Sequence, residues 1–375
     1  MIYTRPDYFH EFSCVAEDCI DTCCAGWQIM IDKESLEKYK NMRGGYIWKI
    51  MSCVDWENDC FRQDNEGRCA FLNGENLCEL QINEGHEGLC KTCREYPRHT
   101  EEFEGVREIT LSASCPEVAR ILMERTAQVH FIKEDHPEIK ETEDFGDFDP
   151  FLYSVIEDAR EAMIDILQNR SIPVQERAVS VLGMAHDMQR RINHQELFEC
   201  NKVIEKYKKS KSQQFVHEYV SNIESVEEED LAMQVYPLIF ELELLRKDWD
   251  ELLHKSQETL FCSRKCYAEF REEFEEWKEM HTDIEIHIEQ ILVYFLYTYF
   301  PGAVYDGQVF AKAQMAVYCT WMIELLWLAR WVQNDGSLLL DEMIEILYRF
   351  SREIEHSDEN LECLDKMMIK KRLLL

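Results

Sequence analysis

The stretch Cys14-Val-Ala-Glu-Asp-Cys19-Ile-Asp-Thr-Cys23-Cys24-Ala-Gly26-Trp27 sets four cysteines within eleven consecutive positions. Packing alone does not call for such density. Ionised thiolates repel one another and free thiols oxidise, whereas a soft metal stabilises several of them in one small sphere. The same kind of spacing continues downstream as Cys69-x8-Cys78, Cys90-Lys-Thr-Cys93-Arg94 and Cys115-Pro116. Of the 16 cysteines, eleven lie at or before Cys115, and Cys200, Cys262, Cys266, Cys319 and Cys363 are scattered behind them. The first ten residues, Met1 to His10, have no apolar run of signal-peptide length, so a reducing, cytoplasmic setting is expected and disulfides are not. Residues 1–130 are therefore read as a cysteine-rich metal module, made of loops and small helices around an inorganic centre rather than a conventional core. The candidate ligands are Cys14, Cys19, Cys23, Cys24, Cys69, Cys78, Cys90, Cys93 and Cys115. Zinc stays open as the metal, because a Cys-x2-Cys pair with distant partners is a frequent zinc pattern. The unequal spacings, a thiol count above that of one zinc site, and the Cys115-Pro116 neighbour favour an iron-sulfur cluster; 4Fe-4S is the expected form, its nuclearity not being fixed by the spacings. Cys262 and Cys266 stand one helical turn apart without further ligands nearby and are read as partly buried thiols.

Working outward from this module, the composition is that of a globular protein with a real core: 375 residues, 46% of them hydrophobic. Only 13 Gly and 8 Pro break the chain, so the fold is expected to be mainly α. Residues 131–150 are acidic and punctuated by Pro137, Gly146 and Pro150, which marks them as a linker. Residues 151–375 follow as an all-helical domain, signalled by Val174, Ala178, Val181, Leu182, Ala185 and Met188 on one helix face. Further helices are expected at 151–169, 195–209, 212–225, 227–255, 266–280, 283–300, 307–333, 338–357 and 359–373.

A formal net charge of -33 repels polyanions, so nucleic acid is not an expected partner, while cationic surfaces and small molecules are drawn in. The apolar runs at 291–300 and 315–332 are too short to cross a bilayer or are interrupted by Glu324 and Arg330, and no membrane association is expected.

Read together, several strings resemble the flagellin lysine N-methylase family. They are Phe12-Ser13-Cys14, Cys19 through Trp27, Cys69-Ala-Phe71-Leu72 through Leu77-Cys78, Leu89-Cys90-Lys-Thr-Cys93-Arg94-Glu-Tyr96-Pro97-Arg98, and Leu111-Ser-Ala-Ser-Cys115-Pro116-Glu117-Val-Ala-Arg120. The second half adds Val293-Tyr-Phe through Phe300-Pro301 and Phe350-Ser351-Arg352 through Glu355-His356-Ser357-Asp358. The resemblance implies transfer of a methyl group from S-adenosylmethionine to lysine side chains of flagellin, by a protein that holds a cysteine-ligated iron-sulfur centre. Looked at more loosely, the cysteines also resemble zinc- or iron-chelating domains of a Cys-x-x-Cys-x-x-Cys-Cys type, from which the three residues between Cys19 and Cys23 depart.

The reaction so implied needs a group that takes a proton from a lysine ammonium of reference pKa ~10.4 and aligns the amine for in-line displacement. Tyr96 and Glu117, with Glu95 beside them, are the candidates for that work. Arg94, Arg98 and Arg120 are candidates to hold the donor carboxylate through bidentate contacts, or alternatively to screen the thiolates. No glycine-rich strand-to-helix signature of a nucleotide-binding Rossmann domain occurs, so any donor pocket is of another kind. The spacing of Cys19, Cys23 and Cys24 likewise departs from that of radical enzymes built on β/α barrels. The site is expected in a groove between the cysteine module and the helical half, lined by Trp27, Phe71, Tyr96 and Trp321. The competing reading is a non-enzymatic metal-binding or redox-sensing protein with a helical interaction domain.

Overall fold

The computed structural model describes residues 1–141, 145–222, 225–262 and 266–370. Helices dominate it, as the scarcity of breakers requires. The long helix Val309–Gln333 runs through the centre of the second half. Its sequence is apolar on every side, the pattern of a helix surrounded by others, and it packs against Val174–Asn193, Lys247–Phe261, Asp283–Tyr299 and Asp358–Lys370. Glu324 interrupts it without harm, because Arg271 and Lys278 reach its carboxylate at 2.9 and 2.8 Å. These cations offset the burial and bring its pKa down to about 2. The helix Leu340–Glu355 is amphipathic instead: Met343, Leu347, Phe350 and Ile354 face the core, and Asp341 and Glu342 are exposed to solvent or near it. None of the described helices is long and apolar enough to cross a membrane.

The helix expected over 227–255 is two helices, Ser225–Val235 and Lys247–Phe261. Pro237 lies between them in a 3-10 turn, Tyr236–Glu241, since proline donates no backbone hydrogen bond and restricts the residue before it. The end of the segment expected at 359–373 and two positions of 212–225 fall outside the described residues, as do the three residues between Cys262 and Cys266. Both of those thiols are exposed rather than partly buried.

The first third departs most from expectation. It contains a four-stranded sheet in the order Arg98–Phe103, Val106–Leu111, Ile2–Pro6, Phe131–Asp135. Ile2–Pro6 runs parallel to Val106–Leu111, pairing Ile2 with Val106, and antiparallel to Phe131–Asp135, which lies in the stretch read as acidic linker. Glu108 on the second strand is buried against Arg160 of the helix Pro150–Leu167, with Nη2 to Oε1 at 2.6 Å, and Tyr153 adds a hydrogen bond at 2.9 Å. This bidentate pair ties the sheet to the helices.

The cysteine region also has an apolar core of its own, contrary to the expectation that metal stands in for one. Ile29, Leu36, Tyr39, Ile50, Phe61 and Phe71 fill it, and it is separate from the large core. Tyr8, Phe12, Phe103 and Leu111, by contrast, belong to the large core with the helical half. The hydrophobic packing thus divides near residues 29–90 and not at the linker.

Candidate methyl-transfer site

Backbone pairing brings the dispersed cysteines towards one another. Cys69 N–H donates to Cys24 O at 2.8 Å, Ala25 bridges Arg68, and Leu72 bridges Cys78. Thr92 Oγ1, between Cys90 and Cys93, donates to Met30 O at 3.0 Å. Gly26, at φ +88°, makes the bend that follows the adjacent pair, a conformation that a side chain would oppose. Cys23 and Cys24 end with their sulfurs 4.0 Å apart. The thiols of Cys90 and Cys93 hydrogen-bond each other, and Cys93 also feels Cys23 and Cys24. Cys78 interacts with Cys23 and Cys90, Cys69 with Cys78 and Cys90, Cys115 with Cys19 and Cys23, and Cys19 with Cys14. These thiols, with Cys53 beside Cys69, lie near enough to one another to affect ionisation. Cys60 is occupied otherwise, receiving a hydrogen bond from Gln28 Nε2 at 2.9 Å.

All of these cysteines are free thiols. Burial pushes the Cys69 and Cys115 thiols up to about 12, and the hydrogen bond to Cys24, with burial behind it, raises Cys23 well above the ordinary range. Among the described residues no group of three or more His, Cys, Asp or Glu side chains is arranged to hold a metal ion. The donor chemistry of the set, reduced thiols with little competition from oxygen ligands, suits a soft metal.

Asp21, two residues before Cys23, anchors this region to the helical half. Its carboxylate meets Arg352 Nη1 at 2.6 Å and Arg246 Nη1 at 2.8 Å. Arg352 also donates from Nε to Ser114 O at 2.9 Å. Trp27 stacks on His356 at 4.4 Å between ring centroids and donates from Nε1 to Cys23 O at 2.8 Å.

A cavity of about 520 Å³ opens at this seam. Trp27, Tyr96 and Arg98 enter it from the cysteine side, Tyr294 and Thr298 from Asp283–Tyr299, and Glu355 from the end of Leu340–Glu355. Its carboxylates, on Glu95, Glu101, Glu355, Asp358 and Asp365, outnumber the permanent cations Arg98 and Lys312. Glu101 is bound by His99 at 3.1 Å, and Asp365 by Lys312. The Glu355 carboxylate accepts from Ser112 Oγ and, at 2.7 Å, from Tyr294 OH. Tyr294 OH itself accepts from Ala113 N–H at 2.9 Å. Burial raises the Glu355 carboxyl to about 7 against the lowering effect of these donors. His356, its Nε2 3.1 Å from Ser114 Oγ, is pushed down to about 3 by burial and by Arg352, and is neutral.

The structure sorts the expected site residues. Tyr96 lines the cavity, its hydroxyl 3.1 Å from Ser114 Oγ, and burial pushes the phenol so far up that it stays protonated. Arg98 also lines it, with its guanidinium 5.1 Å from the Phe12 ring, as does Glu95. Glu117 and Arg120 lie on the helix Pro116–Glu124 and do not line this cavity: the Glu117 main chain faces the Cys115 sulfur, and Arg120 pairs with Glu124 and Asp341 at 3.3 and 3.2 Å. Arg94, on the short helix Lys91–Glu95, does not line it either. Of the expected groove aromatics, Phe71 is sealed in the small core and Trp321 lines a separate cavity of about 680 Å³ within the helical half. Glu355, His356, Ser112 and Ser114 all lie in strings that carried the resemblance, yet nothing in their spacing marked them as site residues.

Residues 160–374, more than half of the chain, match the family model described as FliB lysine N-methylase C-terminal domain. The chain belongs to the FliB lysine N-methylase family. Within that family it is similar to flagellar biosynthetic protein FliU of Salmonella muenchen, 31% identical over 132 residues, which are 32% of this chain and 76% of that protein. It is similar also to the lysine-N-methylases of Salmonella typhimurium and Salmonella choleraesuis, each 30% identical over 128 residues. Those matches span 32% of this chain and 32% of each methylase. No solved structure gives a significant match to the chain.

Proposed function

We propose that this FliB-family protein transfers a methyl group from S-adenosylmethionine to lysine side chains of flagellin, in the cavity at the seam between the cysteine region and the helical half. The observation that carries the reading is the lining of that cavity. Carboxylates in excess over cations, next to Trp27, Tyr96 and Tyr299, suit the two positive groups that the reaction brings together, a sulfonium and an alkylammonium. Arg98 is the wall cation able to receive the donor carboxylate.

The substrate lysine must be neutral before its nitrogen can attack. The nitrogen lone pair then forms the N–C bond, the C–S bond of the sulfonium breaks, and S-adenosylhomocysteine leaves as a neutral thioether. Trp27 and the neutral His356, stacked at the cavity wall, exclude water and leave the ammonium less well solvated, which acts to lower its pKa against the raising effect of the cavity's carboxylates.

The thiols of Cys23, Cys24, Cys90 and Cys93, with Cys19, Cys78 and Cys115 around them, are those that would hold an iron-sulfur cluster. Bound there, it would supply a redox-sensitive cross-link among loops that line the cavity. Zinc on the same thiols is the alternative.

The test is incubation of anaerobically purified protein with flagellin and S-adenosylmethionine carrying an isotopically labelled methyl, followed by peptide mass spectrometry. Labelled methyl on lysine side chains is expected. Flagellin that remains unlabelled, from protein shown to be folded and metal-loaded, contradicts the proposal.

A further inference from the structure

We propose that Glu355 is the general base that takes the proton from the substrate lysine, and that Tyr294 is the positioning residue that aims it. This rests on the lysine-methylation reading above and names the group that reading leaves unassigned.

Elimination among the cavity's carboxylates points to it. Glu95 and Asp358 are exposed at the rim, Glu101 is occupied by His99, and Asp365 by Lys312. Glu355 stands in the wall, and among the described residues no cation is ion-paired with it. It is also rigid: Ser112 Oγ holds Oε2, Tyr294 OH holds Oε1, and the Ala113 N–H fixes Tyr294 in turn. The other titratable groups around it are His99 on the sheet, Tyr299 on the same helix as Tyr294, and Cys319 on the central helix. The nearest arginine along its own helix, Arg352, is committed to Asp21 and Ser114. A hydrogen-bonded carboxylate without a counter-cation, at the wall of a cation-attracting cavity, is able to accept a proton from an incoming ammonium.

The direction agrees. Proton transfer from a lysine of reference pKa ~10.4 is less uphill to a carboxyl raised to about 7 than to one at the ordinary value near 4.5. In the step, the lysine N–H bond breaks, the proton passes to Glu355, and the freed lone pair attacks the methyl carbon. The protonated carboxyl returns its proton to solvent after the products leave.

The experiment measures kcat and the KM for both substrates against pH on the full, metal-loaded chain with flagellin and S-adenosylmethionine. For the wild type kcat rises with pH through a midpoint near 7. Glu355→Gln is expected to lose about 10²–10⁴-fold in kcat and the acidic limb with it, with the KM for the donor little changed. Glu355→Asp retains an acidic limb at reduced kcat. Tyr294→Phe removes a donor that favours the ionised form, so its midpoint moves to higher pH. As a readout independent of turnover, infrared difference spectra should show a carboxyl titrating near 7 in the wild type that is missing in Glu355→Gln. A Glu355→Gln protein with wild-type kcat and pH profile, or with the same infrared titration, overturns the assignment to Glu355. A wild type that labels no flagellin overturns the reading beneath it as well, so the two failures are told apart.

Discussion

Glu355 keeps a carboxyl group where charge is costly, and stability should report it. Its folded pKa, raised to about 7, exceeds the unfolded value near 4.5, so the folded protein binds the proton more tightly. The stability this contributes is complete below the unfolded value and is lost as pH rises through about 7. Glu355→Gln escapes that loss, so its melting temperature relative to wild type should improve between pH 5 and pH 8, by the equivalent of about 1–3 kcal/mol. A constant difference across that range would contradict the raised pKa. At this scale the sequence was partly legible. Cysteines announce themselves because few structural roles require so many thiols, and Tyr96 and Arg98 follow a cysteine pair closely enough to share its site. Glu117 and Arg120 share the helix Pro116–Glu124 with residues of the large core, and it turns them away from the cavity. Glu355 gave no such signal, because a glutamate at the end of an amphipathic helix has the same local pattern whether it meets solvent or a cavity wall.

Elements position that glutamate through a few cross-links between distant segments. The helix Leu340–Glu355 was legible from its apolar period, and so was most of the helical half. The sheet was not, since its strands are short and Ile2–Pro6 pairs with Val106–Leu111 across about a hundred residues of intervening chain. Only tertiary contact marks these segments as strands. The docking of the cysteine region on Leu340–Glu355 through Asp21 was equally silent in the sequence. Arg352 is almost fully buried there, so replacing it leaves the Asp21 carboxylate with Arg246 alone and the Ser114 carbonyl without its donor. Arg352→Met is expected to cost about 3 kcal/mol, near the lower end for breaking a buried ion pair because one partner remains. Urea unfolding would measure it, and an unchanged midpoint would show that the Asp21 contact holds nothing together.

The whole molecule joins two cores, one belonging to the cysteine region and one shared by the sheet and the helices, with the cavity where they meet. Metal should add to the smaller core rather than replace it. On the iron-sulfur proposal, Cys93→Ser is expected to bind much less iron than the wild type and to lose the colour of anaerobically purified protein, while keeping its helical circular-dichroism signal. A colourless wild type containing zinc would decide for the other metal. The net charge of -33 acts at the same scale. If acidity captures basic patches of the substrate, the KM for flagellin should rise as salt is increased through physiological ionic strength, where screening falls to about 8 Å. A KM insensitive to salt would reduce the charge to a solubility feature.

The central claim is that lysine enters the seam cavity to be methylated, and Gly302 offers the most direct way to close that cavity. Gly302 lines it with ordinary negative φ, and a Cβ there would stand 3.6 Å from Lys312 Cε, so Gly302→Phe should fill the space without straining the backbone. Transfer of labelled methyl to flagellin, measured by mass spectrometry for wild type and Gly302→Phe of equal thermal stability, is predicted to be abolished in the variant. Undiminished transfer through a filled cavity would contradict the account.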